Sequence, residues 1–342
     1  MLFSLPLVRA LRRADPTGWI GYLCNRRTEE IVELWSELNW RHTFEKDEFR
    51  NAFQKSPLKG IGFLSGLSSE IRRQKFDCLI DLSLGWQAGF VAAWAGIPKR
   101  IGFDYRGRGR FLTHKTKLDG FDSRPVADHY LDLLSSLGIP RPELTSDLIH
   151  IDLPPAVREE AAGYLHSIGI PSGRPFFALV PGGGASWGPN SIYKQWPPER
   201  FAELAGKLMD RDSAECVIIG DKTEQPLCQA VAAQIKRPVS IAAPVPSLKI
   251  LAGLLAQAEQ VIGNDSGPMH LATAVGTRTV SIFGPVDAAV YGPAVADKNH
   301  RVVTRGITCQ PCYHHFRFPP CPWDNACLKA LSVESVLQAA EK

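Results

Sequence analysis

The sequence lacks any apolar run approaching the roughly 18 residues that a membrane-spanning helix needs, and Arg9, Arg12, Arg13 and Asp15 interrupt its beginning where a secretory signal would be apolar. Neither feature is expected, and the cytosol is the default compartment. Charge of one sign is also scarce: a net +4 over 342 residues is too little for a general nucleic-acid binder, and no RRM, zinc-finger or basic-zipper pattern is present. The phosphate loop GxxxxGK[ST], the zincin HExxH and the hydrolase GxSxG are all missing. A dinucleotide fingerprint fails as well, because Gly60, Gly62 and Gly66 miss the GxGxxG spacing by one and the glycines at 182–184 do not form it. The eight cysteines are too few to be a disulfide framework in so long a chain and are expected to be reduced thiols. What is present is an ordinary globular mixture, 44% hydrophobic and 22% charged, with length for two domains.

The elements alternate. A helix over 6–14 opens the chain, followed by a strand at 19–23, helices over 28–38 and 64–74, and an apolar strand at 76–82. Between Lys99 and Lys117, seven basic residues (Lys99, Arg100, Arg106, Arg108, Arg110, Lys115, Lys117) face the single acid Asp104. Gly102, Gly107 and Gly109 make this segment read as a loop, either merely solvated or able to grip an anion. A helix over 127–137 and one over 154–168 precede Pro171, Ser172, Gly173 and Pro175, whose clustering suits a domain boundary. The second half repeats the pattern more cleanly, with strands at 176–180, 215–219, 239–241 and 279–283. Helices are expected over 199–209, 224–235 and 248–258, the first with Phe201, Leu204, Ala205 and Leu208 on one stripe. Such alternation is that of doubly wound parallel sheets, whose ligands sit beyond the carboxyl ends of the strands. The turns at 182–184, 220–222 and 264–268 would gather there.

Residues 263–284, GNDSGPMHLATAVGTRTVSIFG, are the stretch around which the rest is arranged. Apolar Val261 and Ile262 lead into Gly263, Asp265 and Ser266 are N-cap types, and Pro268 is favoured in a first helical turn. A helix starting near Ser266 would point backbone N–H groups and its positive dipole end at whatever lies beside Ser266 and His270, which suits a diphosphate. An ordinary capped helix is the alternative at this point.

The pattern PGGGASWGPNSIYKQWPPERFAEL at 181–204, the GDKTEQ turn at 220–225 and NDSGPMHLATAVGTRTVSIFGPVDAAVYGP at 264–293, in this order, resemble glycosyltransferase family 9, the heptosyltransferases of lipopolysaccharide core assembly. The resemblance implies a GT-B fold, with two Rossmann-like doubly wound domains facing a cleft: an acceptor domain over 1–153, a nucleotide-sugar donor domain over 174–330 and a closing helix in 331–342. It implies transfer from ADP-heptose or a similar nucleotide sugar, inverting, metal-independent and without a cofactor. Lys194 and Asp265 are then the candidate catalytic residues, Lys194 as a point charge on the leaving diphosphate. Gly183, Gly184, Lys194, Glu224, Asp265, Ser266, Gly267, Pro268, Met269 and His270 are candidates for donor binding, Glu224 toward the ribose. Arg100, Arg106, Arg108 and Arg110 become candidates for an anionic, lipid-linked core oligosaccharide acceptor, since guanidinium pairs bidentately with carboxylate and phosphate. Peripheral contact with the inner face of the inner membrane and no nucleic-acid partner follow from the same resemblance.

The departure from the family pattern lies at the N-terminus. Related proteins begin with a strand and a Gly-Asp turn whose Asp is the expected general base, whereas this sequence begins MLFSLPLVRALR. The first strand and the base are therefore expected upstream of Met1, and the chain as written is expected to be poorly active or unstable. In the tail, Cys309, Cys312, Cys321 and Cys327 lie within 19 residues, a density that raises a metal site, although the second pair is spaced more widely than a zinc knuckle. A non-catalytic nucleotide-sugar-binding relative, or a member using another sugar, stays open as an alternative.

Overall fold

The computed structural model describes residues 1–295 and 298–341, without the side chains of Ala185 and Ser186. Lys342, the last position of the expected closing segment, lies outside the described residues. The chain divides into two units between Leu144 and Thr145.

The first unit contains α1 (Leu5–Ala14), β1 (Gly21–Cys24), α2 (Glu29–Val32), β2 (Trp40–Thr43), α3 (Lys46–Lys55), α4 (Pro57–Arg73), β3 (Cys78–Asp81), α5 (Gln87–Trp94), β4 (Lys99–Tyr105), β5 (His114–Leu118) and α6 (Val126–Asp132). Its strands pair in parallel as two ladders, β1-β2 and β3-β4-β5. One cluster, Leu64, Leu67 and Ile71 of α4 with Val91 and Ala92 of α5, covers one part of the unit. A second sets Leu7 and Ala10 of α1 against Leu131 and Leu134.

The segment 99–117 is not the loop that its glycines suggest. It is two strands paired in parallel and joined by the turn segment 106–113, with Ile101, Phe103 and Tyr105 of β4 buried in the core, while β5 is polar and exposed along four of its five residues. Gly102 is required there by close packing, since a Cβ would lie 2.6 Å from the Asp81 carbonyl oxygen. The sequence reading also passed over β2 and α3. The four residues of β2 are short and mixed in polarity, and α3 buries only Phe49, too little for an apolar stripe to show.

The second unit contains α7 (Ser146–Ile149), α8 (Pro155–Ser167), β6 (Phe176–Val180), α9 (Pro198–Asp212), β7 (Glu215–Ile219), α10 (Gln225–Ala232), β8 (Ser240–Ala242), α11 (Leu248–Gln257), β9 (Gln260–Asn264), α12 (Gly267–Ala274), β10 (Thr279–Ile282), α13 (Ala288–Tyr291), β11 (His300–Val303), α14 (Ala326–Lys329) and α15 (Val333–Ala339). Its six parallel strands run in the order β11-β10-β9-β6-β7-β8. Every residue of β6, β9 and β10 is buried, as expected of strands covered on both faces.

The boundary falls at 144/145 rather than at the Pro/Gly cluster near 171–175. The reason is packing: α8 lies on α11, where a Cβ on Gly253 would come within 2.6 Å of Ala161 and 2.8 Å of the Val157 carbonyl, so α8 belongs to the second unit. The closing helix α15 lies on the same unit. Ser332 caps it through Ser335 N–H, Glu334 pairs with Lys207 of α9 at 2.6 Å, and Val333 and Val336 enter the core beside Leu204, Ala205 and Leu208.

Candidate donor site

The strand order reverses at β6, with β7 and β8 on one side and β9, β10 and β11 on the other. At such a switch point the loops leaving adjacent strands turn apart and open a crevice at the carboxyl ends. The adjacent strands here are β6 and β9, in register with Val180 beside Gly263, so residues 181–184 and 264–267 leave the sheet side by side. Gly263 has no alternative, because a Cβ would sit 2.6 Å from Val180.

Asn264 fixes the two loops together. Fully buried, it donates from Nδ2 to the Pro181 carbonyl at 2.7 Å and accepts Trp196 N–H on Oδ1 at 3.0 Å. The Trp196 indole is itself buried and donates to the Leu331 carbonyl. This anchor holds the segment that carries Lys194. The Lys194 ammonium reaches Asp265 Oδ2 at 2.7 Å, with both side chains about 7% exposed, and lies 5.0 Å from the centre of the Trp187 ring. His270 Nε2 stands 3.5 Å from the other Asp265 oxygen. Burial pushes the Asp265 carboxyl up, but Lys194 and His270 together outweigh it, and the net direction is below the usual carboxylate range.

Directly after Asp265, Ser266 caps α12 with extended backbone (φ −159°, ψ 168°), yet its hydroxyl caps nothing. Oγ is buried without a hydrogen-bond partner. The first-turn N–H groups of Gly267 and Met269 have no intrahelical acceptor, and Pro268 contributes no N–H at all. Met269 is buried and packs under Gly263, so only its backbone faces a ligand. A buried hydroxyl without a partner, beside the positive end of a helix and a lysine, is a concentrated set of donors in want of an acceptor.

Across from it, Gly184 adopts φ +82°, a left-handed conformation that favours glycine, and its N–H donates to Glu224 Oε1 at 3.3 Å. The second Glu224 oxygen accepts Asp221 N–H at 3.2 Å. Burial raises the Glu224 pKa above its ordinary value. Gly182 and Gly183 are dictated by space. A Cβ on the first would fall 1.9 Å from Glu224, and on the second 2.1 Å from the Ser191 carbonyl. The structure therefore brings together Gly183, Gly184, Lys194, Glu224 and residues 265–270, all candidates from the sequence. Trp187 and Asn264 escaped that reading. The signal for Asn264 was a polar residue at the end of a continuous apolar strand.

The four arginines separate. Arg100 lies in β4 and spends its guanidinium on the backbone carbonyls of Phe111, Ile97 and Pro98, so it braces the β4–β5 turn and is withdrawn as an acceptor ligand. Arg106, Arg108 and Arg110 are exposed on that turn. Arg106 and Arg108 stack on Tyr105 at 5.0 and 5.4 Å, and Arg110 lies between Trp86 and Phe111 at 5.0 and 4.9 Å. Cys309, Cys312, Cys321 and Cys327 line one small cavity with Phe318 and Trp323. No group of three or more metal-ligand side chains that could hold an ion is found among the described residues. Cys321 instead accepts Asn325 N–H, and Cys327 donates to the Asn325 side chain.

Two α/β units of parallel strands, with a cluster of hydrogen-bond donors at the switch point of the second, have the architecture of the GT-B fold. Residues 65–318 match the model of glycosyltransferase family 9 (heptosyltransferase), and the chain belongs to that family. It is 24% identical over 300 residues to lipopolysaccharide heptosyltransferase 3 of Escherichia coli, covering 86% of this chain and 82% of that one. It is 32% identical over 178 residues to lipooligosaccharide heptosyltransferase 2 of Campylobacter jejuni, covering 51% and 52%. Among solved structures it superposes on the family 9 glycosyl transferase of Veillonella parvula with a TM-score of 0.79 at 24% identity, over 99% of this chain and 92% of that one. The E. coli ADP-heptose lps heptosyltransferase II gives 0.77 at 21%, over 99% and 93%. No helix among the described residues is long and apolar enough to cross a membrane.

Proposed function

We propose that this protein moves a heptose from ADP-heptose to the inner core of lipopolysaccharide, with inversion at the anomeric carbon and with protein groups rather than a metal neutralising the leaving ADP. The observation that carries this reading is the cluster of Lys194, the partnerless Ser266 hydroxyl and the free first turn of α12. Together they supply one formal charge, one buried hydroxyl and two oriented N–H groups to a diphosphate. Asp265 already balances Lys194, so the site carries little excess charge, and the dipole end and hydroxyl must share the work of stabilising the departing phosphate. The acceptor hydroxyl attacks the anomeric carbon from the face opposite ADP and gives up its proton to solvent water, while the bond from that carbon to the β-phosphate oxygen breaks and its electron pair leaves with ADP. Glu224, held by Gly184 and Asp221 N–H groups, presents its carboxylate edge to the ribose hydroxyls. Arg106, Arg108 and Arg110 bind carboxylates or phosphates of a lipid-linked acceptor, which brings the protein into peripheral contact with the inner face of the inner membrane.

A related structure supports this donor. A similar E. coli heptosyltransferase, WaaC, has been solved with ADP-2-deoxy-2-fluoro heptose. The test is transfer by the full chain from a panel of nucleotide sugars to a core acceptor, followed by mass spectrometry with and without chelator. A heptose-sized mass gain from ADP-heptose, unchanged by chelator, is the expected result. Transfer from a different nucleotide sugar alone would overturn the donor assignment, and loss of transfer with chelator would overturn the metal-independent mechanism.

A further inference from the structure

The helical pair α3–α4 turns at Ser56 with an unusual surface. Pro57 starts α4 in its first turn, and the Phe53 ring closes over Gly60, where a Cβ would lie 2.5 Å from the ring. At this corner Leu58 is 80% exposed, Ile61 49% and Phe53 36%, three large apolar side chains on one projecting edge. The outer face of α4 continues as Leu58, Ile61, Gly62 and Ser65, at the i, i+3, i+4, i+7 spacing of a single stripe, and then Gly66 and Ser69. All are exposed, and Cβ atoms built on Gly62 and Gly66 would meet nothing within 4 Å. A solvent face usually carries both signs of charge. This one does not: no acidic residue occurs between Glu48 and Glu70, while Arg50, Lys55 and Lys59 do. Arg50 pairs with Asp47, and Lys55 and Lys59 have no ion pair among the described residues.

We infer that the α3–α4 corner is a docking surface for an anionic membrane, with Phe53, Leu58 and Ile61 entering the headgroup boundary and Lys55 and Lys59 meeting lipid phosphates. Exposed apolar side chains flanked by cations, with acids excluded, are the requirements of interfacial binding. The bare Gly/Ser face permits close approach along the helix. This proposal rests on the reading that the acceptor is lipid-linked, and it names the surface that brings the enzyme to that lipid.

The experiment is flotation of the full chain with vesicles of phosphatidylethanolamine and phosphatidylglycerol, against phosphatidylcholine vesicles, without any acceptor lipid. The expected result is binding to the anionic vesicles only, weakened by salt. Leu58→Glu with Ile61→Glu should weaken it by at least about tenfold. Lys55→Glu with Lys59→Glu should remove the salt-sensitive part, and both pairs should leave the unfolding midpoint and transfer to a deacylated, water-soluble acceptor unchanged. No binding by the unaltered protein, equal binding to phosphatidylcholine, or full binding by the Leu58/Ile61 variant would overturn the proposal. Transfer to the soluble acceptor without vesicle binding removes this surface and leaves the enzymatic reading intact. Vesicle binding without any transfer does the reverse.

Discussion

Replacing Lys194 by methionine separates the structural from the chemical role of the donor site. The ammonium lies 2.7 Å from a carboxylate that is as buried as itself. Removing one partner of such a pair leaves an uncompensated charge and costs about 3–5 kcal/mol, roughly 6–20 °C in unfolding midpoint for a unit of 150–250 residues. Its pH signature has a definite sign. In the unaltered protein the Asp265 carboxyl is held below its ordinary value, so the stability it contributes is fully present above an unfolded pKa of about 3.9 and is lost as pH falls through the lower folded value. Without Lys194, burial is opposed by His270 alone, so the carboxyl should be held less far down than in the unaltered protein. The variant should therefore recover stability relative to the unaltered protein as pH falls into the carboxylate range. Adding Asp265→Asn should erase that recovery and much of the stability loss. Catalysis should not follow stability. Loss of one preorganised donor at a developing charge typically costs about 100- to 1,000-fold in kcat, and the Lys194→Met/Asp265→Asn double variant should stay that slow although it folds. Thermal unfolding across pH and kcat at saturating ADP-heptose read the two effects separately. A double variant within about threefold of the original kcat, under 1 kcal/mol of barrier, would refute the role given to Lys194.

Three further variants test the remaining assignments. Glu224→Gln removes a half-buried carboxylate whose pKa is raised. A raised carboxyl destabilises the ionised fold near neutrality and less so on acidification, so the variant should be as stable as the original at pH 7 or more so. Its KM for the donor should rise because one ribose acceptor is lost; an unchanged donor KM would remove Glu224 from the binding residues. Arg106→Glu with Arg108→Glu should raise acceptor KM at least about tenfold and leave the unfolding midpoint unmoved, whereas Arg100→Ala should lower stability by about 1–3 kcal/mol through lost hydrogen bonds and leave acceptor KM alone. Equal KM effects from both would contradict the separation drawn from their contacts.

The elements that were legible in the sequence share one property, that local chemistry and burial agree. The strands β6 and β7 were read at their observed limits because FFALV and ECVII are apolar runs ended by turn residues. The start of α12 at Ser266 was read from Asp, Ser and Pro in succession. Where burial is slight the pattern fades. The β4–β5 pair reads as a loop from Gly102, Gly107 and Gly109, and HKTKL, with only Leu118 buried, offers no apolar pattern against that reading; α3 shows no stripe at all. The role of Arg100 was equally out of reach, since its carbonyl partners at 97, 98 and 111 are brought around it by a turn.

Composition, spacing and turn chemistry alone determined that this is a doubly wound α/β protein with an anion-ready helix start at 266 and glycines that must approach other backbone. Only tertiary structure decided what that helix start faces. Lys194 and Asp265 are 71 positions apart (265 − 194) and meet because β6 and β9 are neighbours in the sheet, with Asn264 tying both loops and Trp196 fixing the approach of the lysine. Pairing of strands distant in sequence depends on the whole sheet, so no local pattern encodes it. The Ser266 hydroxyl, a cap by its sequence position, was left without a partner by the same packing, and it is that vacant hydrogen bond, beside a charge and a helix end, that marks this helix start as the candidate donor site.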